Sequence, residues 1–540
     1  MTGSAALSDE AKNYITNMER ENNQLKNLQS HIIQFEKKVA ELENKNRQLE
    51  DKNRQLEEKL KLALYRQFGR HVERFTGEGQ PLLFESEEKA APLLAAGTPE
   101  TTTVKEHTRL KRGRKPLDEN LPREHTYLDI DEADKHCACG DNLVCIGEEV
   151  SERLHIEPQK IWVEVIHKKK YACKTCEGSG DEDKKAVRMA RTPGNIMPGS
   201  IATPGLLSFI FTQKYCDYMP FYRQQAAFER IGVNISRQNM DNWQKGVCEK
   251  LEPLLTLMKK HLKTGEVINM DETTMKVMDE PGKENKQVSY MWLARGGPPG
   301  KKVIWYEYHD SRAAKHIVEI LSGYSGYLQT DGYDAYEKAL KELTGKIIHA
   351  GCFAHVRRYF FEAMKISRTP GGADDALAQI KGLYTVEEKL REKLSQKTIS
   401  AEEFLKERKE KCKPLLTAFH GWLEDREGKV LDSSKLGEAI KYTLGQWPLL
   451  VHYLDHIELT PDNNAAERAI RPFVMGRKNW NISGSPAGAK SSCQLYTLIE
   501  TAKANKLNPY QYLKTIFEQA AEMNPSGDWS KLLPWNLNQG

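Results

Sequence analysis

The sequence predicts an α/β core, a mixed sheet with helices on both faces and an all-α insertion. A coiled coil, a small zinc-finger-like module and a helical, helix-turn-helix-like region precede it. Three observations carry this expectation. Apolar strand candidates cluster between residues 267 and 352, and two of them hold or end on an acid. A seven-residue leucine pattern fills residues 25–63, and closely spaced cysteines flank a strand-like segment between 136 and 176. At 540 residues the chain is too long for one core, so about two to four domains are expected. A formal charge of +4 with 29 % charged residues excludes a uniformly basic molecule, and a polyanion must be met by local patches. No stretch approaches the ~20 consecutive apolar residues of a membrane span. The start, "MTGSAALSDEAKNY", lacks the basic-then-apolar order of a secretory signal. Ten cysteines, several in close pairs, suit a metal site better than a disulfide scaffold, and a cytoplasmic protein is expected.

The first element is a stalk. Leu25, Ile32, Val39, Asn46, Asn53 and Leu60 fall on one heptad position; Leu28, Phe35, Leu42, Leu49, Leu56 and Ala63 fall on the other. Asparagine at the first position costs stability but fixes register, and favours a parallel two-stranded coil over a helix packed on its own domain. After "LYRQFGRHVERF" the composition turns to Gly, Pro, Ala and Thr, a linker by content. It leads to "RLKRGRKPLDENLPRE", whose Arg112, Arg114 and Lys115 form an extended basic arm suited to a minor groove or to phosphates; a solvated linker is the plainer alternative.

Next come "HCACGDNLVC" and "YACKTC". Cys173 and Cys176 have the two-residue spacing that lets two thiolates reach one tetrahedral zinc ion. The first pair is irregular: Cys139 stands with either Cys137 or His136, and Cys145 is a weaker option. Further on, "AAFERIGVNISRQNMDNWQ" reads as a helix, a glycine turn and a second helix capped by Ser236. That second helix would carry Arg237, Gln238, Asn239, Asn242 and Gln244 toward DNA, though plain core packing gives the same pattern.

The acids follow. "VINMDETTMKV" ends a short apolar run on Asp271, a costly place for a charge unless a cation meets it. "QVSYMWLAR" and "KKVIWYEYHD" are two more strands. "GYLQTDGYDAY" is a fourth ending on Asp331, and "KIIHAGC" is a fifth. If the first and fourth are neighbours, the two carboxylates lie side by side and raise each other's pKa unless a divalent ion neutralises them. "LTPDNNAAERAIRPFVMGRKNW" supplies a third acid, Glu467, on a short helix capped by Asn463 or Asn464 and ended by Pro472. Arg357, Arg358, Arg468, Arg471, Arg477 and Lys478 are placed to hold DNA phosphates, and Trp480 either stacks on a base or joins the core. Cys352 and His355 are too few to hold a metal alone and read as packing. The 136 positions between Asp331 and Glu467 exceed what a sheet-to-helix connection needs, so 372–456, charged and helix-patterned, reads as an all-α insertion.

Taken in order, "RQFGR", "GRKPL…LPRE", "YACKTCE", "TPGLLSFIFTQKY…PFYRQ", "MDET", "TDGYDAY", "GCFAHVRRYFFEA", "NNAAERAIRPFVMGRKNW" and "SGSPAGAKSSCQLYTLIETAKAN" span nearly the whole chain. In them the chain resembles the transposases of the insertion sequence 66 family. The resemblance implies a ribonuclease H-like catalytic domain, an Asp-Asp-Glu triad at Asp271, Asp331 and Glu467, and metal-dependent DNA transposition with Mg²⁺ or Mn²⁺. It also implies Zn²⁺ at Cys137, Cys139, Cys173 and Cys176, with His136 possible in place of Cys137, and small companion proteins of the same element.

The organisation expected is a coiled-coil stalk at 11–68, a linker with basic arm at 69–125, the zinc-finger-like module at 126–185 and the helix-turn-helix-like region at 195–262. The catalytic core follows at 263–371 and 457–485 around the insertion at 372–456, with a C-terminal helical region at 486–530. The partners expected are double-stranded DNA at the element ends and target, and a second copy through the coil, in a bacterial, nucleoid-associated setting. The rival reading is a catalytically inactive, repressor-like DNA-binding dimer, to which three acids near phosphate would be a liability. A plain nuclease would not need the end-binding modules.

Overall fold

Alternation of apolar and polar residues every second position builds strands; the candidates between 267 and 352 do form one sheet. A computed structural model describes residues 9–68, 161–167, 170–172, 187–189, 194–283, 288–366 and 371–537. The chain divides into two units, Arg70–Thr192 and the remainder. In the first, β1 (Lys170–Ala172) pairs antiparallel with β2 (Val187–Met189), Tyr171 opposite Arg188. The zinc candidates His136, Cys137, Cys139, Cys173 and Cys176 and the arm residues Arg112, Arg114 and Lys115 lie outside the described residues.

The second unit opens with α1 (Asp9–Phe68), one helix of 60 residues. The large apolar residues of its heptad seam between Leu25 and Leu60 are each at least half exposed, with Leu25 at 64 %, Phe35 at 71 % and Leu60 at 60 %. Near its end it meets its own chain: Arg54 Nη2 donates to Ser433 Oγ at 3.1 Å, and Glu58 Oε2 accepts from the Lys435 amide at 3.2 Å.

Four helices follow: α2 (Pro204–Tyr215), α3 (Phe221–Arg230), α4 (Arg237–Lys250) and α5 (Glu252–Leu262). Ser236 caps α4 as expected, its Oγ accepting from the Asn239 amide at 3.1 Å. Arg237, Gln238, Asn239 and Asn242 are exposed. Gln244 is not on that face. It is buried, donating to Ser491 Oγ at 2.7 Å and accepting from Tyr215 Oη at 2.5 Å. Phe228, Ile235, Met240 and Trp243 join the same core as the sheet, so these helices are continuous with it.

The sheet comprises β3 (Val267–Met275), β4 (Ser289–Gly296), β5 (Val303–His309), β6 (Gly326–Gln329) and β7 (Ile347–Ala350), in the order β5-β4-β3-β6-β7. The first three form an antiparallel meander. After α6 (Ala314–Leu321), β6 runs parallel to β3, and after α7 (Asp334–Glu342), β7 runs parallel to β6. The chain continues through α8 (Phe353–Ile366), α9 (Gly372–Ser395), α10 (Ala401–Arg426), α11 (Lys435–Leu450), α12 (Asn464–Trp480), α13 (Pro486–Ala504) and α14 (Pro509–Glu522).

The outer strand β5 has free amides, and α13 satisfies two of them. Thr501 Oγ1 accepts from the Ile304 amide at 3.1 Å and Thr497 Oγ1 from that of Tyr306 at 2.9 Å. Leu495, Tyr496, Leu498 and Ile499 of α13 join the core beside these bonds.

Pro472 does not end the helix that carries Glu467; α12 runs through it to Trp480. Proline removes one helical hydrogen bond and crowds the preceding turn, yet Tyr306 Oη donates to the Ala469 carbonyl there and Tyr496 Oη to that of Pro472 at 3.4 Å. These hydroxyls brace the helix on either side of the proline, one a turn before it and one at the proline itself. Trp480 lies half-buried with its ring edge-on to Tyr215 at 6.3 Å, a core contact.

The segment leading back to α12 is fastened by one buried cation. Arg408, fully buried on α10, donates to Glu387 Oε1 at 2.6 Å and to the carbonyls of Tyr453, His456 and Leu459 at 2.7, 3.0 and 3.1 Å. Removing one member of a buried pair strands the other. Arg408→Ala is expected to lower stability by about 3–5 kcal/mol, read as a drop in the midpoint of urea unfolding.

Candidate active site

Strand alternation decides which residues of β3 face which side. Asn269, Asp271 and Thr273 face α12: Asn269 meets Asn463, and Thr273 meets Arg477. Glu272 faces the opposite side, toward α6 and α7. There Tyr336 Oη donates to its Oε2 at 2.8 Å and Arg312 Nε to its Oε1 at 2.6 Å. The Arg312 guanidinium also lies 3.6 Å over the Tyr333 ring.

The pairing of β3 with β6 sets the acids side by side. Asn269 is level with Gln329, 60 positions later, and the same offset carries Asp271 to Asp331 just beyond the last rung. Asp331 starts a tight turn: its Oδ1 accepts from the Tyr333 amide at 3.2 Å, and Gly332 takes φ +82°. A side chain at Gly332 would also strike Gln446, 2.4 Å from the place of a Cβ.

Glu467 arrives through Asn463 and its neighbours. Asn463 precedes α12 but does not cap it with its side chain. Its Nδ2 instead donates to the Met270 carbonyl at 2.8 Å, its Oδ1 accepts from Asn269 Nδ2 at 3.2 Å, and its amide donates to Cys352 Sγ at 3.1 Å. The start of α12 is thereby pinned to the strand residue preceding Asp271. Asp462 takes the capping role, accepting from the Asn464 amide at 3.1 Å.

Asp271, Asp331 and Glu467 line one open cleft of about 290 Å³ together with His355, Arg358, Asn463, Ile470 and Arg471. Burial and then the Glu272 charge push the Asp271 carboxyl up to about 7; Asp331 and Glu467 add to this, and the Glu272 amide opposes it. Burial and the Asp331 charge also raise Glu272, against the pull of Arg312 and Tyr336. An all-oxygen donor set whose charges repel fits a hard divalent cation. The three acids do not close on one point, however. Among the described residues, the tight group that includes Glu467 is Cys352, His355 and Glu467, with donor atoms within 4.8 Å of one another. Burial pushes the Cys352 thiol up to about 12, so it stays protonated and serves as acceptor for the Asn463 amide. That gives Cys352 a physical role the sequence left open.

The basic residues divide. Arg358 and Arg471 line the cleft, and Arg468 and Lys478 are exposed on α12. Arg357 is a correction: it is 6 % exposed, with its guanidinium 5.8 Å from the Phe361 ring centre, and cannot reach DNA. Arg477 is another. Its Nη1 donates to Thr274 Oγ1 at 2.8 Å, to Thr273 Oγ1 at 3.3 Å and to the Thr274 carbonyl, making it a clamp between α12 and β3. Sequence reasoning missed Glu272 and Arg312, although strand alternation alone sends the second acid of "DE" to the opposite face.

The chain belongs to the transposase IS66 family, whose model matches residues 199–491. Further matches are the IS66 C-terminal element at 497–535, the zinc-finger binding domain of transposase IS66 at 134–177 and "Transposase C of IS166 homeodomain" at 55–126. It is similar to three uncharacterized proteins of Sinorhizobium fredii. To y4qI it is 32 % identical, covering 79 % of this chain and 78 % of the relative. To y4hP it is 29 % identical over 82 % and 80 %, and to y4jD 29 % over 78 % and 81 %. Among the described residues no helix is long and apolar enough to cross a membrane.

Because folding raises the Asp271 carboxyl to about 7, its protonated form stabilises the fold at low pH, and that contribution is lost as pH climbs through about 7. Asp271→Asn in chelator is therefore expected to exceed the wild type in stability by about 2–4 kcal/mol above that range, and to match it near pH 4. Melting curves across pH check this; a pH-independent difference would contradict it.

Proposed function

We propose that this chain is a DNA transposase that binds the ends of an insertion sequence and cleaves and transfers DNA strands through Asp271, Asp331 and Glu467, on a ribonuclease H-like core. One observation carries the reading: carboxylates from β3, the β6–α7 turn and α12 line one open cleft with Arg358 and Arg471 on its walls. Bound at these acids, two Mg²⁺ or Mn²⁺ ions would supply charge stabilisation of the attacking and leaving oxygens of a phosphodiester. Asp271 and Asp331 hold their positions through strand register, and Glu467 through the Asn463 hydrogen bonds. Arg358 and Arg471 steady the phosphates on either side of the scissile bond, and Arg468 and Lys478 extend that track.

Arg237 and Gln238, exposed at the start of α4, read the element ends, and Arg112, Arg114 and Lys115 are DNA-binding residues in their own right. Zn²⁺ at Cys139, Cys173, Cys176 and either Cys137 or His136 orders the finger. The exposed seam of α1 pairs two copies as a coiled coil, bringing two element ends together; companion proteins of the element complete the assembly in a bacterial nucleoid.

With purified protein and labelled element-end DNA, Asp271→Asn should keep binding and lose Mg²⁺-dependent strand cleavage by at least about 10²–10³-fold, the usual cost of removing one stabiliser of developing charge. Cleavage persisting in the mutant would unseat Asp271. Wild-type protein that binds without cleaving would mark a repressor-like decayed transposase. Leu42→Asp with Leu49→Asp should convert the dimer to monomer in sedimentation equilibrium.

A further inference from the structure

On the sheet face opposite the acid cleft, the end of β5 meets α6 through three side chains that the proposed reaction does not use. One ring nitrogen of His309, one of His316 and a carboxylate oxygen of Glu319 lie within 4.8 Å of one another. The rings lie against each other at a tilt of 32°, with centroids 4.0 Å apart. His309 and His316 have side chains only 12 % and 6 % exposed, whereas Glu319 is 58 % exposed and opens the group to solvent.

His316 Nδ1 is buried, has no hydrogen-bond partner, and points toward Glu319 Oε2 at 3.6 Å. Its other nitrogen, Nε2, is held by Ser311 Oγ at 2.9 Å with Asp310 Oδ1 at 3.3 Å. A ring whose far nitrogen faces a hydroxyl and a carboxylate presents its near lone pair in the manner of a metal ligand. Glu307 repeats the theme: Lys259 and Trp305 hold its Oε2 at 2.8 and 2.7 Å, and its Oε1 stands 3.3 Å from His309 Nε2.

We infer that His309, His316 and Glu319 form a second divalent-metal site, of the two-imidazole, one-carboxylate type that selects Zn²⁺, with its fourth position open to solvent. The ion closes the loop "HDSRAAKH", residues 309–316, and that loop carries Arg312 to the buried carboxylate of Glu272, the neighbour of Asp271. The site therefore staples the loop that neutralises the back of the acid cleft.

The test is a Co²⁺ titration of the full chain in excess Mg²⁺, followed by visible absorption and metal analysis. The wild type should show a tetrahedral component without thiolate charge transfer, which separates it from any cysteine-bound ion. His316→Ala should lose that component and one equivalent of metal. Glu319→Ala, an exposed change that leaves the core intact, should weaken its affinity by more than the roughly 10–100-fold that an outer-shell change costs. Zn²⁺ should raise the melting temperature of the wild type more than that of Glu319→Ala. No thiolate-free component in the wild type, or equal stoichiometry and affinity in Glu319→Ala, overturns the site.

Discussion

Repulsion among partly buried carboxylates is the constraint around which this molecule is organised. Asp271 sits midway along β3, directly after four buried residues, with Asp331 beside it, Glu467 across the cleft and Glu272 behind. Nothing in that arrangement is favourable on its own, so the scaffold must hold it by other means. Parallel pairing of β3 with β6 fixes two of the acids, and the Asn463 bonds to Asn269 and Met270 fix the third. Arg312 and Tyr336 answer the fourth from the opposite face.

The remaining architecture supports those fixed points. Glu467 returns to the sheet after a long helical excursion, and Arg408 and Arg391 bind the carbonyls of the strap that brings it back. Gln329 Nε2 adds a bond to the Thr460 carbonyl at 2.6 Å, tying that strap to β6. On the other flank, α13 covers the free edge of β5 and buttresses α12 where Pro472 weakens it. Stability and site geometry thus share the same polar contacts, and the buried polar residues here are paired through them.

Much of the core could be read from pattern. Apolar runs of strand length placed all five strands, and the acids at Asp271 and Asp331 were visible because a charge at the end of such a run needs a reason. Glu467 was legible only in company with the other two, since an acid one turn before an arginine is ordinary on a helix surface. Arg357 and Arg358 were indistinguishable as neighbours in the chain; helix rotation buried one and exposed the other. Pro472 misled because its local effect is helix-breaking, whereas Tyr306 and Tyr496, distant in sequence, brace the helix around it.

Local chemistry along the chain therefore determined the elements: the heptad helix, the strands, the Ser236 cap and the identity of the acids, all of which depend on near neighbours and periodicity. Tertiary structure decided which polar groups are partners, because register and helix rotation join residues separated by tens to hundreds of positions. Asn463 against Met270 and Thr497 against Tyr306 exist only once the sheet and its helices have packed.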